Sequence, residues 1–388
     1  MHSFFSKLAR RRFPYEPLIR VEISKERLIH NLNEFKKLAP GGLVAPVLKS
    51  NAYGHGLIEV AGILAHQSDV PFFVVDSYFE AISLRARGIR TPVLVIGYTP
   101  AETIAQARTI HTMFTVTSLD ALKSLPRSIH SLRIHLKIDT GMRRQGILVS
   151  EIPEAIEVIK KNPSISLEGI CSHLADADNT DVSFTKDQIK TWNESTARFT
   201  SAFPSIKYIH LSNTDGHRFP ADITANVSRL GIGLYGLTEG VTINASLDLK
   251  PVLQMKTVIS GVKKLAQGEP TGYSATFTAK GDMTIATIPV GYYEGIDRRL
   301  SSDSQGKPRA FVLVGPNNIP CPIVGRVSMN ISTIDISNVP DAKLGMNVTV
   351  FKDDSSSPAS IAAAAKTCGT ITYEVAVKIP AHLKRAVV

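Results

Sequence analysis

Short apolar runs rich in β-branched residues alternate with helical stretches between residues 44 and 236. Eight runs are predicted strands: VAPVLKS (44–50), PFFVVDS (71–77), TPVLVIG (91–97), TMFTVTS (112–118), LRIHLKID (132–139), ISLEGICSH (165–173), IKYIHLSN (206–213) and VSRLGIGLYG (227–236). The segments between them predict helices over 57–66, 78–87, 151–161 and 186–200. Apolar strands that alternate with helices favour a parallel α/β sheet, and eight repeats predict a closed (β/α)8 TIM-type barrel. A doubly wound sheet is the alternative, because one misassigned strand would change the count.

The pattern changes after Tyr235, where strand-like stretches follow one another with Pro, Gly and Asn between them. These stretches are LQMKTVIS, MTIATIPV, RAFVLV, STIDIS and NVTVFK, and only SIAAAAKTC (360–368) has a helical pattern. Consecutive short strands are typical of a separate, mainly β domain. We therefore expect a flexible tail over 1–17, a barrel over 18–247 and a C-terminal β domain over 248–388. The strand-like VEIS (21–24) is compatible with either domain.

Composition is that of an ordinary globular enzyme. Of the 388 residues, 43% are apolar and 20% are charged, and there is no apolar run of the roughly 20 residues that a membrane helix needs. The basic start MHSFFSKLARRRFPYEP lacks the apolar stretch of a signal peptide, so we expect a cytoplasmic location. The three cysteines are scattered without CxxC spacing, which predicts neither a disulfide framework nor a metal site.

The formal net charge of +10 comes in part from the tail, at Lys7, Arg10, Arg11 and Arg12. A basic tail can contact nucleic acid or anionic lipid. No binding module follows these residues, so we expect a solvated tail and neither nucleic acid nor membrane as a partner.

Polar side chains fall at or near the ends of the predicted barrel strands: Lys49, Asp76, Lys137, Asp139, His173, Asn213 and Arg229. The carboxyl ends of barrel strands meet on one rim, where catalytic residues lie. Charged groups that faced the interior of a barrel would destabilise the fold unless such a site solvated or paired them. We therefore expect these groups to converge on an active site. Lys49 fits either an exposed rim lysine or a Schiff-base lysine, which needs partial burial to be neutral and nucleophilic.

Two pairs of glycines lie near these strand ends, Gly54 with Gly56 and Gly231 with Gly233. Barrel phosphate sites often use the loops after the last two strands, where backbone N–H groups bind an anion. Each pair alone fits a tight turn equally well. Together with Lys49 they suggest a phosphate-bearing ligand.

Nine motifs resemble, in order, the sequence blocks of alanine racemases. APVLKSNAYGHG (45–56) is similar to the block that contains the cofactor lysine. The others are HLKIDTGMRRQG (135–146), LEGICSH (167–173), HLSNT (210–214), RLGIGLYG (229–236), TGYSATF (271–277), IPVGYYEG (288–295), PIVGRVSM (322–329) and TYEV (372–375). The resemblance covers roughly residues 20–385.

This resemblance implies a fold-type III enzyme that depends on pyridoxal 5'-phosphate (PLP) and racemises alanine, supplying D-alanine for peptidoglycan. It implies a homodimer whose active sites are completed across the interface. Inverting a stereocentre needs acid/base groups on both faces of the substrate. The resemblance assigns one face to Lys49, which also holds the cofactor, and the other to Tyr273 of the partner subunit. It places His173 and Arg229 nearby to tune that phenol, with Arg229 facing the pyridine nitrogen.

Further site residues are implied by the same resemblance. The cofactor phosphate is expected to contact Tyr53, Asn213, Thr214, Gly231, Ile232 and Tyr373. The substrate carboxylate is expected near Arg144, which also approaches the cofactor, and near the backbone N–H of Met329. Lys137 occupies a position that is N-carboxylated in many relatives, although a plain lysine or a chloride-filled site is an equal alternative. The substrate access channel is expected to be lined by Tyr292, Asp178, Arg298 and Arg326.

The chain departs from the family pattern at a few positions near the expected site. Asn330 and Ser328 replace a usual aspartate and cysteine, Tyr293 and Glu294 replace an Ala-Asp pair, and His382 replaces an arginine. The principal machinery is retained, so racemisation of alanine is our first hypothesis. A racemase of another small amino acid, such as serine, is the alternative. Tyr273 and Arg229 argue against a PLP decarboxylase or aldolase, and the β domain that carries Tyr273 and Met329 argues against a non-enzymatic PLP-binding protein.

Overall fold

The computed structural model describes residues 16–38, 42–107, 111–127, 131–237 and 247–388. The expected basic tail, with Lys7 and Arg10–Arg12, lies almost entirely outside the described residues. The described chain forms two compact units. A barrel unit comprises Ser24–Val252 with Ile371–Val377, and a β unit comprises the described residues before Ser24, Leu253–Thr370 and Lys378–Val388.

Among the described residues, eight parallel strands form the barrel unit, one overlapping each predicted strand segment. They are β2 (Leu43–Pro46), β3 (Phe73–Val75), β4 (Val93–Val95), β5 (Thr112–Val116), β6 (Leu132–Lys137), β7 (Ile165–Cys171), β8 (Tyr208–His210) and β9 (Val227–Leu230). Strands β3 to β8 pair in sequence order, and β2 pairs with β9. The ring closes because Leu48 donates a backbone hydrogen bond to Val74 (2.7 Å) and Arg229 donates one to Ser212 (3.0 Å). The predicted (β/α)8 barrel is confirmed, and the doubly wound alternative is wrong.

Helices precede or follow most of these strands. They are α1 (Lys25–Lys37), α2 (Leu57–Leu64), α3 (Tyr78–Ala86), α4 (Ala101–Gln106), α5 (Leu119–Lys123), α6 (Ile152–Lys161) and α7 (Ser183–Ala202). The four predicted helices correspond to α2, α3, α6 and α7 with ends that differ by a few residues. Ser77 and Glu80 form a capping box at the start of α3, which satisfies backbone N–H groups that have no partner within the helix.

The β unit contains a nine-stranded sheet. Its strands are β1 (Arg20–Ile23), β10 (Leu253–Val258), β11 (Gly261–Leu265), β14 (Met283–Ile288), β15 (Phe311–Val314), β16 (Ile319–Val324), β17 (Ser332–Asp335), β18 (Asn347–Phe351) and β19 (Arg385–Val387). They lie in the order β11-β14-β17-β16-β15-β18-β10-β1-β19. The short strands β12 (Pro270–Thr271) and β13 (Phe277–Thr278) pair separately. The VEIS segment joins this sheet, because β1 pairs with β10 and β19.

Two helices lie in this part of the sequence, α8 (Ile361–Cys368) and α9 (Thr372–Val377). The helical pattern over 360–368 is confirmed, but the expectation that it is alone is wrong. Helix α9 is too short for its apolar spacing to be recognised, and it belongs to the barrel unit although we placed 248–388 in the β domain. The cysteines Cys171, Cys321 and Cys368 are buried and unbonded. None of the helices in the described part of the chain is long and apolar enough to cross a membrane.

Candidate active site

A cavity of about 440 Å³ opens at the carboxyl ends of the barrel strands, within the barrel unit. It has the size of a typical small-molecule site. Of the predicted site residues, those that line it are Lys49, Tyr53, Lys137, Arg144, His173, Asn213, Thr214, Arg229, Gly231, Ile232 and Tyr373. Asp76 also lines it, as its place at a strand end suggested. The expected convergence of strand-end groups is therefore present in the structure.

Lys49 enters the cavity from a strained turn rather than from a strand. Strand β2 ends at Pro46, and residues 50–53 then adopt left-handed backbone angles with φ between 52° and 57°. A run of such angles in residues other than glycine is unfavourable and needs support from its surroundings. That support includes Asn51, whose backbone N–H donates to Glu80 Oε1 (3.3 Å) and whose Oδ1 accepts from the Leu57 N–H (2.9 Å). The turn therefore fixes the direction in which Lys49 leaves the chain.

Arg229 is a buried cation whose guanidinium is held by hydrogen bonds. It donates to the carbonyl oxygens of Ser172 (2.7 Å), Leu211 (2.8 Å) and His210 (3.0 Å). It also reaches Nδ1 of His210 (2.5 Å) and Nδ1 of His173 (3.2 Å). Within the described chain no carboxylate pairs with it. Burial lowers the pKa of Arg229, but a guanidinium remains charged at neutral pH, so its positive charge faces the cavity without compensation.

Because Arg229 can only donate, both imidazoles must present an unprotonated Nδ1 to it. His210 then carries its proton on Nε2 and donates to Nδ1 of His135 (2.7 Å). Burial, followed in size by the charge of Arg229, lowers the pKa of His173 and of His210 well below the usual range. Burial lowers the pKa of His135 to about 3. The neutral imidazoles of His210 and His173 therefore contact the cation, and His135 accepts a hydrogen bond from His210.

His210 and His135 were missed by the sequence analysis, although both begin motifs that were used for other residues. A signal was present for His135, because it lies two positions before Lys137 on the same strand and so points to the same side. Cys171, Ser172 and Gln145 also line the cavity without having been predicted.

A cradle of donors lies at the cavity end formed by Tyr53, Thr214 and Gly231. A side-chain carbon at Gly231 would lie 3.0 Å from the Tyr53 hydroxyl and 3.7 Å from Thr214 Oγ1, so glycine keeps this space open. The short 3-10 helix Ile232–Tyr235 begins there and directs backbone N–H groups towards its start. Burial raises the pKa of both Tyr53 and Tyr373, which keeps these phenols protonated as donors. Hydroxyl and backbone donors around a space of this kind suit a phosphate group.

The remaining glycines of the two pairs do not line the cavity. A side-chain carbon at Gly54 would lie 2.0 Å from the Ala376 carbonyl oxygen, and one at Gly233 would lie 2.5 Å from Phe35. Both allow close packing of neighbouring segments. Asp139 also lies outside the lining, because its Oδ1 accepts from the backbone N–H groups of Gly141 and Arg143 and so shapes the loop that precedes Arg144.

Lys137 lies in the cavity wall with Arg144 and Gln145. Burial lowers the pKa of its amine, and the charges of Arg229 and Arg144 act in the same direction. Its Nζ lies 3.4 Å from Oε1 of Gln145. A larger fraction of this amine is therefore neutral than for an exposed lysine.

The other predicted residues lie on the β unit, with the exception of Asp178, which belongs to the barrel unit. Tyr273, Tyr292 and Met329 have exposed fractions of 69%, 43% and 55%. Tyr273 begins a short turn, Tyr273–Ala275, in which Ser274 has a φ of 60°. In the single chain these three side chains are therefore accessible to solvent.

Comparison with known proteins agrees with this architecture. A family model described as the N-terminal domain of alanine racemase matches residues 23–239, and a model of the C-terminal domain matches residues 252–387. The fold and the site thus define an amino-acid racemase with a barrel and a β domain. The chain belongs to the alanine racemase family.

Three relatives show how similar the chain is to known members. It is 35% identical over 361 residues to an alanine racemase of Syntrophobacter fumaroxidans, covering 92% of this chain and 93% of that protein. The solved structure of alanine racemase from Clostridium difficile has a TM-score of 0.87 and 30% identity, with 96% of each chain covered. A histidine racemase from Leuconostoc mesenteroides has a TM-score of 0.85 and 25% identity, with 96% of this chain and 98% of that one covered. The same fold therefore occurs in racemases named for different amino acids.

Proposed function

We propose that this protein interconverts L-alanine and D-alanine with PLP bound in the barrel cavity. The observation that carries this proposal is the cavity itself, where Lys49 lies together with Arg229, His173 and a donor cradle. These groups match the needs of a PLP racemase, namely an amine, a fixed cation and a phosphate site.

The donor set fits the cofactor. Lys49 would hold its aldehyde carbon, and the Tyr53, Thr214 and Gly231 cradle would hold its phosphate with Asn213, Ile232 and Tyr373. When bound, PLP supplies an electron sink for the carbon that loses its proton. Arg229 would face the ring nitrogen, where its uncompensated charge disfavours a further proton and so limits side reactions such as transamination.

Two proton-transfer groups on opposite faces complete the proposal. Lys49 would take up or deliver the proton on one face through Nζ. Tyr273 serves the other through its hydroxyl, and its exposure of 69% in the single chain suits a side chain that enters the cavity of a partner subunit. We therefore propose a homodimer with shared active sites. His173 and Arg229 would favour ionisation of that phenol by hydrogen bonding and charge.

Arg144 and the backbone N–H of Met329 are proposed to bind the substrate carboxylate. Within the described chain the Met329 N–H donates to no protein acceptor, which leaves it available to a ligand. We propose that Lys137 is N-carboxylated, because its lowered pKa favours the neutral amine that attacks CO2. The nitrogen forms the new bond and releases a proton, and the resulting anion could hold Arg144. Tyr292, with Asp178, Arg298 and Arg326, would line the access channel.

A racemase of another small amino acid is the second candidate. It is favoured by the histidine racemase that shares the fold and by the departures at Tyr293 and Asn330, which change bulk and charge beside Tyr292 and Met329. The retained Arg144 suits the carboxylate of any amino acid, so it does not separate the two candidates.

A racemisation panel tests the proposal. The purified protein is incubated with PLP and with L-alanine, L-serine or L-histidine, and formation of each D isomer is followed by chiral chromatography. We expect the highest kcat/KM with alanine. A higher value with serine or histidine would favour the second candidate, and no turnover with any of the three would reject both. Lys49→Ala provides the inactive control.

We also propose that the reaction takes place in the cytoplasm and supplies D-alanine for peptidoglycan. Expression of the chain in a bacterium that requires added D-alanine should restore growth without the supplement. Failure of an expressed, active protein to do so would contradict this role.

A further inference from the structure

Two segments of the β unit are hydrogen-bonded to each other next to the residues proposed to contact the substrate. The turn Tyr292–Glu294 follows Gly291, and the segment 328–330 contains Met329. The Tyr292 N–H donates to the Ser328 carbonyl (3.0 Å), and the Tyr293 N–H donates to the Met329 carbonyl (2.9 Å). A side-chain carbon at Gly291 would lie 2.2 Å from the Ser328 oxygen and 2.4 Å from the Met329 oxygen. Only glycine allows this approach.

Glu294 links the same two segments through its side chain. It is buried, with 6% exposed, and both carboxylate oxygens have partners. Oε2 accepts from the Gly291 N–H (2.8 Å), and Oε1 accepts from Nδ2 of Asn330 (2.6 Å). A buried carboxylate is costly unless it is hydrogen-bonded, so Asn330 supplies a donor that Glu294 needs. An aspartate at 330 would instead place two carboxylates against each other.

The departures from the family pattern on this surface occur in contacting pairs. Glu294 contacts Asn330, and the neighbouring Tyr293 stacks on His382 with ring centres 4.9 Å apart. The Glu294–Asn330 contact joins the turn that carries Tyr292 to the segment that carries Met329. The Met329 N–H and the Tyr292 ring are therefore the groups that this contact would hold in place.

We propose that Glu294 and Asn330 form a clamp that positions the Met329 N–H and Tyr292 for substrate binding. The proposal rests on the function proposed above, in which these two groups face the substrate. Glu294 and Asn330 are positioning residues, because they act through the turns that carry Tyr292 and Met329. The clamp should therefore govern KM rather than the proton transfers that determine kcat.

The test is a swap of the two polar groups in the holoenzyme. Asn330→Asp places two carboxylates next to each other. We expect KM for L-alanine to rise about tenfold, which is the effect of losing one charge-assisted hydrogen bond. We expect kcat to stay within about threefold of the unaltered value. Glu294→Gln combined with Asn330→Asp reverses donor and acceptor. The double variant should return KM to within about threefold of the unaltered protein, because the amide again donates to a carboxylate.

Gln254→Glu is the matched control. Gln254 Nε2 donates to Oδ1 of Asp353 (2.9 Å) in the same β unit, so this variant also sets a new carboxylate against an existing one. We expect it to lower the thermal midpoint without raising KM. If Asn330→Asp lowers the midpoint but leaves KM unchanged, or if the double variant does not recover, the positioning role is wrong.

Backbone hydrogen exchange over residues 291–294 separates this proposal from the proposed function, because it needs no turnover. The Tyr292 and Tyr293 amides donate to the Ser328 and Met329 carbonyls, so Asn330→Asp should speed their exchange about tenfold, and the double variant should slow it again. Unchanged exchange would overturn the clamp even in an active racemase. Absence of racemisation in the unaltered protein, with the expected exchange pattern, would instead reject the function and with it the proposed effect on substrate.

Discussion

His135 and His217 in the barrel unit stay neutral at pH 7 because burial penalises their charged forms. Burial lowers the pKa of His135 to about 3 and that of His217 to about 4. His217 is held by the backbone carbonyls of Asn213 and Thr214 and by the Ser228 hydroxyl. The neutral state of His135 preserves its hydrogen bond with His210 and, through it, the arrangement around Arg229.

This neutrality predicts acid sensitivity of the fold. Between about pH 6.5, where an unfolded histidine titrates, and the folded pKa near 3 or 4, the unfolded chain binds more protons than the folded one. The stability that these groups contribute is therefore complete above that window and is lost as pH falls through it. His135 and His217 should each contribute roughly 1.4 kcal/mol to the free energy of unfolding per pH unit in the window. Denaturant unfolding at a series of pH values measures the slope.

His135→Gln removes one of these titrating groups. We expect the variant to be less stable at pH 7, because it alters the bond with His210, but to have a shallower pH slope by about one proton. An unchanged slope would show that His135 does not remain neutral in the folded protein.

Lys49 and Tyr273 are proposed to act on opposite faces of the substrate. Substituting each residue should therefore impair proton exchange at Cα in a different way. Lys49→Ala should lose the visible absorbance of bound PLP and the exchange of the Cα hydrogen of both alanine enantiomers. Tyr273→Phe should keep the absorbance and lose exchange for one enantiomer only, because one proton-transfer group remains. NMR of each enantiomer in D2O measures exchange directly. Equal slowing for both enantiomers in Tyr273→Phe would contradict a role on a single face.

At the scale of elements, the barrel strands could be predicted because parallel strands inside α/β folds are buried on both faces. Strands β3 and β4 are entirely buried and read as continuous apolar runs. Strand β11 is mostly exposed and carries two lysines, so it has no comparable signal. Strand β16 contains Pro320 and Pro322, which weaken a strand prediction.

The site residues could be predicted where they lie at the ends of barrel strands or within recognisable motifs. Lys49, Lys137, His173 and Arg229 could be placed on one rim from the strand pattern alone. The direction of the Lys49 side chain could not be predicted, because it depends on a left-handed turn that these residue types disfavour. The partnership of His135 with His210 also lay beyond sequence reasoning, since 75 residues separate them and only the barrel brings them together.

The turn after Lys49 predicts a specific role for Gly54. Gly54 has a φ of 82°, and an added side-chain carbon would lie 2.0 Å from the Ala376 oxygen in α9, the helix that carries Tyr373. Gly54→Ala should displace that helix and raise the Kd for PLP at least about tenfold, as for loss of one phosphate contact. Absorbance titration measures this Kd.

Gly88→Ala is the control for backbone strain. Gly88 has a φ of 77° but no atom within 4 Å of an added carbon. It should lose about 1 kcal/mol of stability from the left-handed conformation alone and keep the Kd for PLP. Equal effects of the two substitutions on PLP binding would show that contact with α9 does not matter.

At the scale of the whole molecule, the proposed machinery is divided between the barrel unit and the β unit. Lys49 and Arg229 line the barrel cavity, whereas Tyr273 and Met329 lie exposed on the β unit. If each site combines the cavity of one subunit with Tyr273 of the other, two different inactive chains can form one working site. A two-fold dimer has two such sites, so the active fraction after mixing can be calculated.

Mixing Lys49→Ala with Tyr273→Phe chains should therefore restore activity. In a mixed dimer one site receives both substitutions and the other receives neither. Random exchange of equal amounts makes about half of the dimers mixed, so about one quarter of all sites should be intact. The variants are mixed under mild denaturant, returned to buffer and assayed for D-alanine, with each variant treated alone as the control. Native mass spectrometry verifies that the chains have exchanged. If activity then does not rise above these controls, Lys49 and Tyr273 do not act across subunits.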